Sequence, residues 1–135
     1  MYQTVYQIDG RMTIERHSTQ PIFIVTMTEN FDFGDDMRVG DEAAYAILDE
    51  VDTRVYWIVD ILRTSMSFER LLNATNSVAS GQEPLFKHPN IKQVILVSES
   101  RMIQLAAKGL DSEIFGHLAV KVFDTVEDAI HYASA

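Results

Sequence analysis

The stretch IVDILRTSMSFERLL, residues 58–72, places Asp60 at the end of an apolar run, crowds Thr64, Ser65 and Ser67 behind it, and opens an amphipathic pattern at Phe68. A carboxylate buried at such a strand end could serve as a general base. It could equally accept backbone N–H bonds in the turn that follows. The hydroxyls could carry or bind a phosphoryl group, since a phosphate at a helix N-terminus meets free N–H groups and the positive end of the dipole. Capping is the simpler role for Ser67, whose hydroxyl would accept a backbone N–H bond worth about 1 kcal/mol. One hydroxyl suffices for that, so Thr64 and Ser65 stay open. Asp60 has no serine–histidine or carboxylate pair at telling spacing beside it, which favours the structural role. An acid–base enzyme would need Asp60 and His88 to converge on one pocket.

Metal and nucleotide chemistry find little support. His17, His88, His117 and His131 are spread without ligand spacing. Asp32, Asp35 and Asp36 surround Gly34 without the alternating oxygen ligands of a calcium loop. Asp32-Phe33-Gly34 spells a kinase tripeptide without its companion motifs, and Gly34 and Gly40 lack the Gly-Lys-Ser/Thr ending of a phosphate loop. All of these residues read as solvated surface, and neither a metal nor a cofactor is expected. The connection SGQEPLFKHPN, residues 80–90, is longer than the usual link from helix to strand and holds Leu85, Phe86 and His88 between two prolines. The simpler account tucks Leu85 and Phe86 under the sheet; the sharper one is an exposed tip that docks a partner or covers a pocket.

Positioning these groups falls to a regular alternation of elements. Asp9-Gly10 inside YQIDGRMTI is a two-residue hairpin signal, STQP is a second turn, and IFIVTM reads as a strand. The polar, glycine-bearing segment ENFDFGDDMRVGD reads as loop. From Asp41, a plausible N-cap, Ala44, Ile47, Leu48 and Val51 follow at helical spacing. VYWIVDIL is the next strand, followed by a helix with Phe68, Leu71, Leu72, Thr75 and Ala79 on one face. QVILVS is another strand, and Met102, Leu105 and Ala106 mark a helix that Gly109 would stop. LAVKVF precedes a last helix built on Val126, Ala129, Ile130 and Ala133, where Thr125 and Asp128 can form a variant capping box. Three strands are apolar almost without alternation, as strands buried on both faces are. The order predicts an α/β layered domain: a mixed sheet with an antiparallel N-terminal start, then helices alternating with parallel strands.

The totals agree with one domain over residues 1–135, in which 1–11 would add a strand or hairpin. No cysteine is present, which excludes disulfides and thiolate chemistry and fits a cytoplasmic protein. The first ten residues have neither the basic start nor the apolar core of a signal peptide, and no apolar run approaches membrane-spanning length. Eleven basic against twenty acidic residues give a net charge of −9, a field that repels phosphate backbones and anionic membranes. Neither nucleic-acid binding nor membrane insertion is expected.

This order of elements resembles the STAS family, the bacterial anti-anti-sigma factors and the related domains of sulfate transporters, over about residues 12–134. The matching phrases are VYWIVDIL, VSESRMIQLAAKGL and VKVFDTVEDAI. In anti-anti-sigma factors the turn after the central strand carries Asp-Ser-Ser/Thr-Gly, whose first serine is phosphorylated by a partner kinase. Laying Met66 and Leu71 on the family's apolar positions puts Ser67 where the Asp belongs and Phe68, Glu69 and Arg70 on the rest. Phe68 cannot accept phosphate; a shifted register would offer Ser65 or Ser67. The resemblance implies a non-catalytic regulatory domain that presents Thr64, Ser65, Ser67, Phe68 and Glu69 to a protein partner. A second class is a small-molecule or lipid carrier with an apolar pocket beneath Phe86 and Phe115. An exposed strand edge would permit a homodimer.

Overall fold

The computed structural model describes residues 1–64, 85, 88–109 and 120–135, with 106–109 described as backbone. Of the expected elements, the helix after Phe68 lies outside the described residues. Asp9-Gly10 turns the chain as its composition predicts: the Arg11 N–H donates to the Ile8 carbonyl at 2.9 Å, and Gly10 takes φ 71°, where a side chain would be strained. The loop is one residue longer than the dipeptide suggests, because Ile8 pairs with Met12. This turn joins β1 (Tyr2–Ile8) to β2 (Met12–His17), and β3 (Ile22–Met27) follows antiparallel to β2. The N-terminal strand therefore belongs to the sheet and forms one edge.

From β3 onward the pairing is parallel, through β4 (Val55–Asp60), β5 (Ile91–Val97) and β6 (Val120–Phe123), so that the six strands lie in chain order. Among the described residues the helices are α1 (Asp35–Glu50), α2 (Arg101–Gly109) and α3 (Val126–Ser134). Alternation along β4 shows why its sequence carries no polar face. Val55, Trp57 and Val59 enter one core with Ala44 and Leu48 of α1 and Ile103 of α2. Ile58 enters a second core with Ala129 and Ala133 of α3. Helices thus cover both faces of the parallel strands. β2, by contrast, buries Met12 and Ile14 and leaves Thr13 and Glu15 half exposed.

The reading of the segment before β4 requires correction. The helix α1 starts at Asp35 rather than Asp41, so half of the expected loop is helical. Its first turn is organised by carboxylates: Asp32 accepts the Gly34 N–H at 2.9 Å, and Asp36 accepts the Asp32 N–H at 2.9 Å. Asp35 and Asp36 also complement the positive helix end. Gly40 lies inside the helix. A Cβ there would lie 3.0 Å from Cε of Met12, so glycine lets α1 approach the hairpin. At the other end of the chain, Thr125 caps α3 as expected, its hydroxyl accepting the Asp128 N–H at 3.1 Å.

Candidate functional site

The end of β4 is held by short-range bonds. Asp60 accepts the Leu62 N–H at 3.0 Å, the role of a turn-closing carboxylate. The Ile61 N–H continues the parallel pairing by donating to the Val97 carbonyl at 3.2 Å. Thr64 donates both its hydroxyl, at 2.8 Å, and its N–H, at 3.2 Å, to the Ile61 carbonyl. Thr64 is therefore engaged in closing the turn. Ser65, Ser67, Phe68 and Glu69 lie outside the described residues. Arg63, next in line, reaches Glu29 at 3.1 Å, with both side chains well exposed. Backbone hydrogen bonding at Glu29, then the Arg63 charge, holds the Glu29 carboxyl below its usual range.

Beside this turn, α2 leaves the end of the neighbouring strand. Buried Ser98 accepts the Ser100 N–H at 3.1 Å, and the Ser100 hydroxyl accepts the Ile103 N–H at 3.3 Å, which fixes the start of the helix. Ile103 is the residue that packs inward, at 2% exposure. Met102 and Leu105, whose spacing marks the helix, stand 54% and 64% exposed, and Leu62 stands 39% exposed. The periodicity located α2 but not its buried side.

Of the 80–90 connection, Leu85 and 88–90 are described. Leu85 is 5% exposed and belongs to the core beneath α1; Phe86 lies outside the described residues. His88, expected at the surface, is buried too. Its Nε2 lies 2.8 Å from the Asp49 carboxylate, while Nδ1 accepts the Asn90 N–H at 3.0 Å, so the proton sits on Nε2. The Asn90 amide in turn donates to the Leu48 and Val51 carbonyls at 2.8 and 3.4 Å, capping the end of α1. His88 and Asn90 form a latch between α1 and β5. His88→Ala should lower stability by about 2 kcal/mol, and Asn90→Ala should add much less in its presence than alone. Denaturant unfolding of both single variants and the double variant measures this; strict additivity would show two unconnected residues.

An Asp60–His88 couple is ruled out by topology. Asp60 pairs with Val97 at the far ends of β4 and β5, whereas His88 leads into Ile91, which pairs with Val55 at their starts. Five strand residues separate these levels, roughly 16 Å. A further departure from the sequence reading is Asp36, taken for solvated surface but 6% exposed. It is paired at 3.3 Å with Arg11 of the hairpin, 25 residues away. Half-buried Asp41, inside the helix rather than at its cap, has its carboxyl pushed up to about 6 by desolvation. Among the described residues no group of three or more His, Cys, Asp or Glu could hold a metal ion, and no helix is long and apolar enough to cross a membrane.

Against known proteins, no family model and no curated protein matches the sequence. Among solved structures, the chain is similar to an uncharacterised protein of the DUF3478 family with a SpoIIAA-like fold from Shewanella loihica. The identity is 13%, the match covers 97% of this chain and 99% of the other, and the TM-score is 0.55. It also matches an anti-sigma factor antagonist from Mycobacterium paratuberculosis at 16% identity, over 92% of this chain and 93% of that one, with a TM-score of 0.49. The chain has the SpoIIAA-like, or STAS-like, fold.

Proposed function

We propose that this chain is a cytoplasmic, non-catalytic STAS-like regulatory domain that presents the face around residues 64–69 to a protein partner. The observation that supports the reading most is the apolar exposure at one end of the sheet. Leu62, Met102 and Leu105 project from segments that leave the ends of two adjacent parallel strands, and Met102 and Leu105 share a helix face at i, i+3. Scattered apolar residues on a surface carry no message, whereas several at one site mark a contact surface. The ends of parallel strands are also where open α/β sheets place their recognition loops. Asp60 and Thr64 hold the turn beneath this surface rigidly, which reduces the ordering cost of binding.

With Phe68 at the phosphoacceptor position, the switch is one of contact rather than of the family's usual phosphorylation. Glu50 closes α1, at the opposite end of the sheet, and serves as the control site. Leu105→Asp should weaken partner binding by about 2 kcal/mol, roughly thirtyfold. Ser67→Asp should weaken it more than Glu50→Gln, a charge change of equal size. Equal affinities for Ser67→Asp and Glu50→Gln, with Leu105→Asp unchanged, would remove the basis for this face.

A further inference from the structure

The opposite end of the sheet carries a separate feature. Where the β2–β3 turn meets the connection from α1 to β4, a groove of about 550 Å³ is lined by Gln3, Arg16, His17, Thr19, Gln20 and Thr53, among others. No acidic residue lines it, in a chain with twenty of them. Arg11, Arg38 and Arg63 each reach a carboxylate, but among the described residues Arg16 has none within ion-pair distance. Its guanidinium instead lies 5.5 Å from the centroid of the Phe23 ring. Such stacking orients the planar fork and leaves its in-plane N–H donors for a bidentate acceptor.

The turn itself is already shaped. His17 Nδ1 accepts the N–H groups of Thr19 at 3.1 Å and Gln20 at 2.9 Å, so its remaining proton is on Nε2. We infer that this groove binds a small organic oxyanion, a phosphate ester or a carboxylate, clamped by Arg16 and oriented by the hydroxyl and amide groups of Thr19, Thr53, Gln3 and Gln20. The net charge of −9 selects against polyanions and leaves small ligands as the class that fits. The site stands apart from the face at residues 64–69 and does not depend on it.

Titration of the full chain with inorganic phosphate, and separately with succinate, tests this at constant ionic strength. The readout is the amide spectrum at Arg16, Thr19 and Gln20. Saturable shifts confined to the groove are expected for at least one of the two, with a Kd on the order of 1 mM, and the better ligand identifies the oxyanion. Arg16→Gln should weaken it at least tenfold while leaving the amide spectrum outside the groove unchanged, and Arg38→Gln should bind as the parent does. Linear drift with both anions, or the same saturable shifts in Arg16→Gln, would overturn the site.

Discussion

Trp57→Ala is expected to lower the unfolding free energy by about 4 kcal/mol, the range of buried aromatic truncations. Trp57 is 1% exposed in the middle of β4, on the face shared with α1, and its ring centroid lies 5.5 Å from that of Phe23. Strands pair with β4 on both sides, so the backbone cannot close over the space that the indole leaves. Domains of this size hold about 5–15 kcal/mol in total. The variant should therefore unfold at much lower urea, with its m-value little changed. A loss under about 1 kcal/mol would mean that the two-faced core described above is not what stabilises the chain.

The second large effect is one of pH. Desolvation raises the Asp41 carboxyl from 3.8 to about 6 in the folded chain. Between these values the folded state holds a proton that the unfolded state has released, so the contribution of Asp41 to stability is most favourable at low pH and falls as pH rises from about 4 through 6. A shift of this size corresponds to at most about 3 kcal/mol at neutral pH, at 1.36 kcal/mol per unit, and solvent screening of the half-buried carboxyl makes the effect smaller. Asp41→Asn removes the charge and should stabilise the protein above pH 6 by up to that amount, with almost no gain at pH 4. Urea midpoints of the two proteins from pH 4 to 8 should separate as pH rises. Parallel curves, or a gain at pH 4 equal to that at pH 8, would show that Asp41 is not desolvated.

Local signals were enough for most of the sheet. The IFIVTM run coincides with β3, and the apolar run of β4 and the VILV end of β5 reflect burial on both faces, a requirement that any one strand shows in its own residues. What escaped depends on distant partners. Asp36 is buried because Arg11 neutralises it from the hairpin, and His88 because Asp49 and Asn90 satisfy both of its nitrogens. Neither pairing leaves a trace in the surrounding sequence. Asp41 looked like a cap because the apolar spacing began just after it. The helix gains its first turn earlier, from Asp32 and Asp36, which periodicity does not register. Met102 and Leu105 marked the helix by their spacing, but that spacing does not say which side is buried: Ile103 makes the inward contact. Exposure of apolar side chains at a helical spacing is invisible until the partner helix face is known. Of the strand-end group, Asp60 and Thr64 close the turn, and the residues that follow, Ser65, Ser67, Phe68 and Glu69, carry the recognition role by proposal.

Affinity capture on the native lysate with the wild-type chain, Leu105→Asp, Ser67→Asp and Glu50→Gln side by side, with any phosphate on the bait mapped, is the most direct test of the recognition face. The account predicts one protein that is retained by wild type and Glu50→Gln, depleted by Leu105→Asp and Ser67→Asp, and bound without phosphate on the bait. Equal retention by all four chains would contradict the face, and phosphate on Ser65 or Ser67 that controls binding would contradict the contact switch.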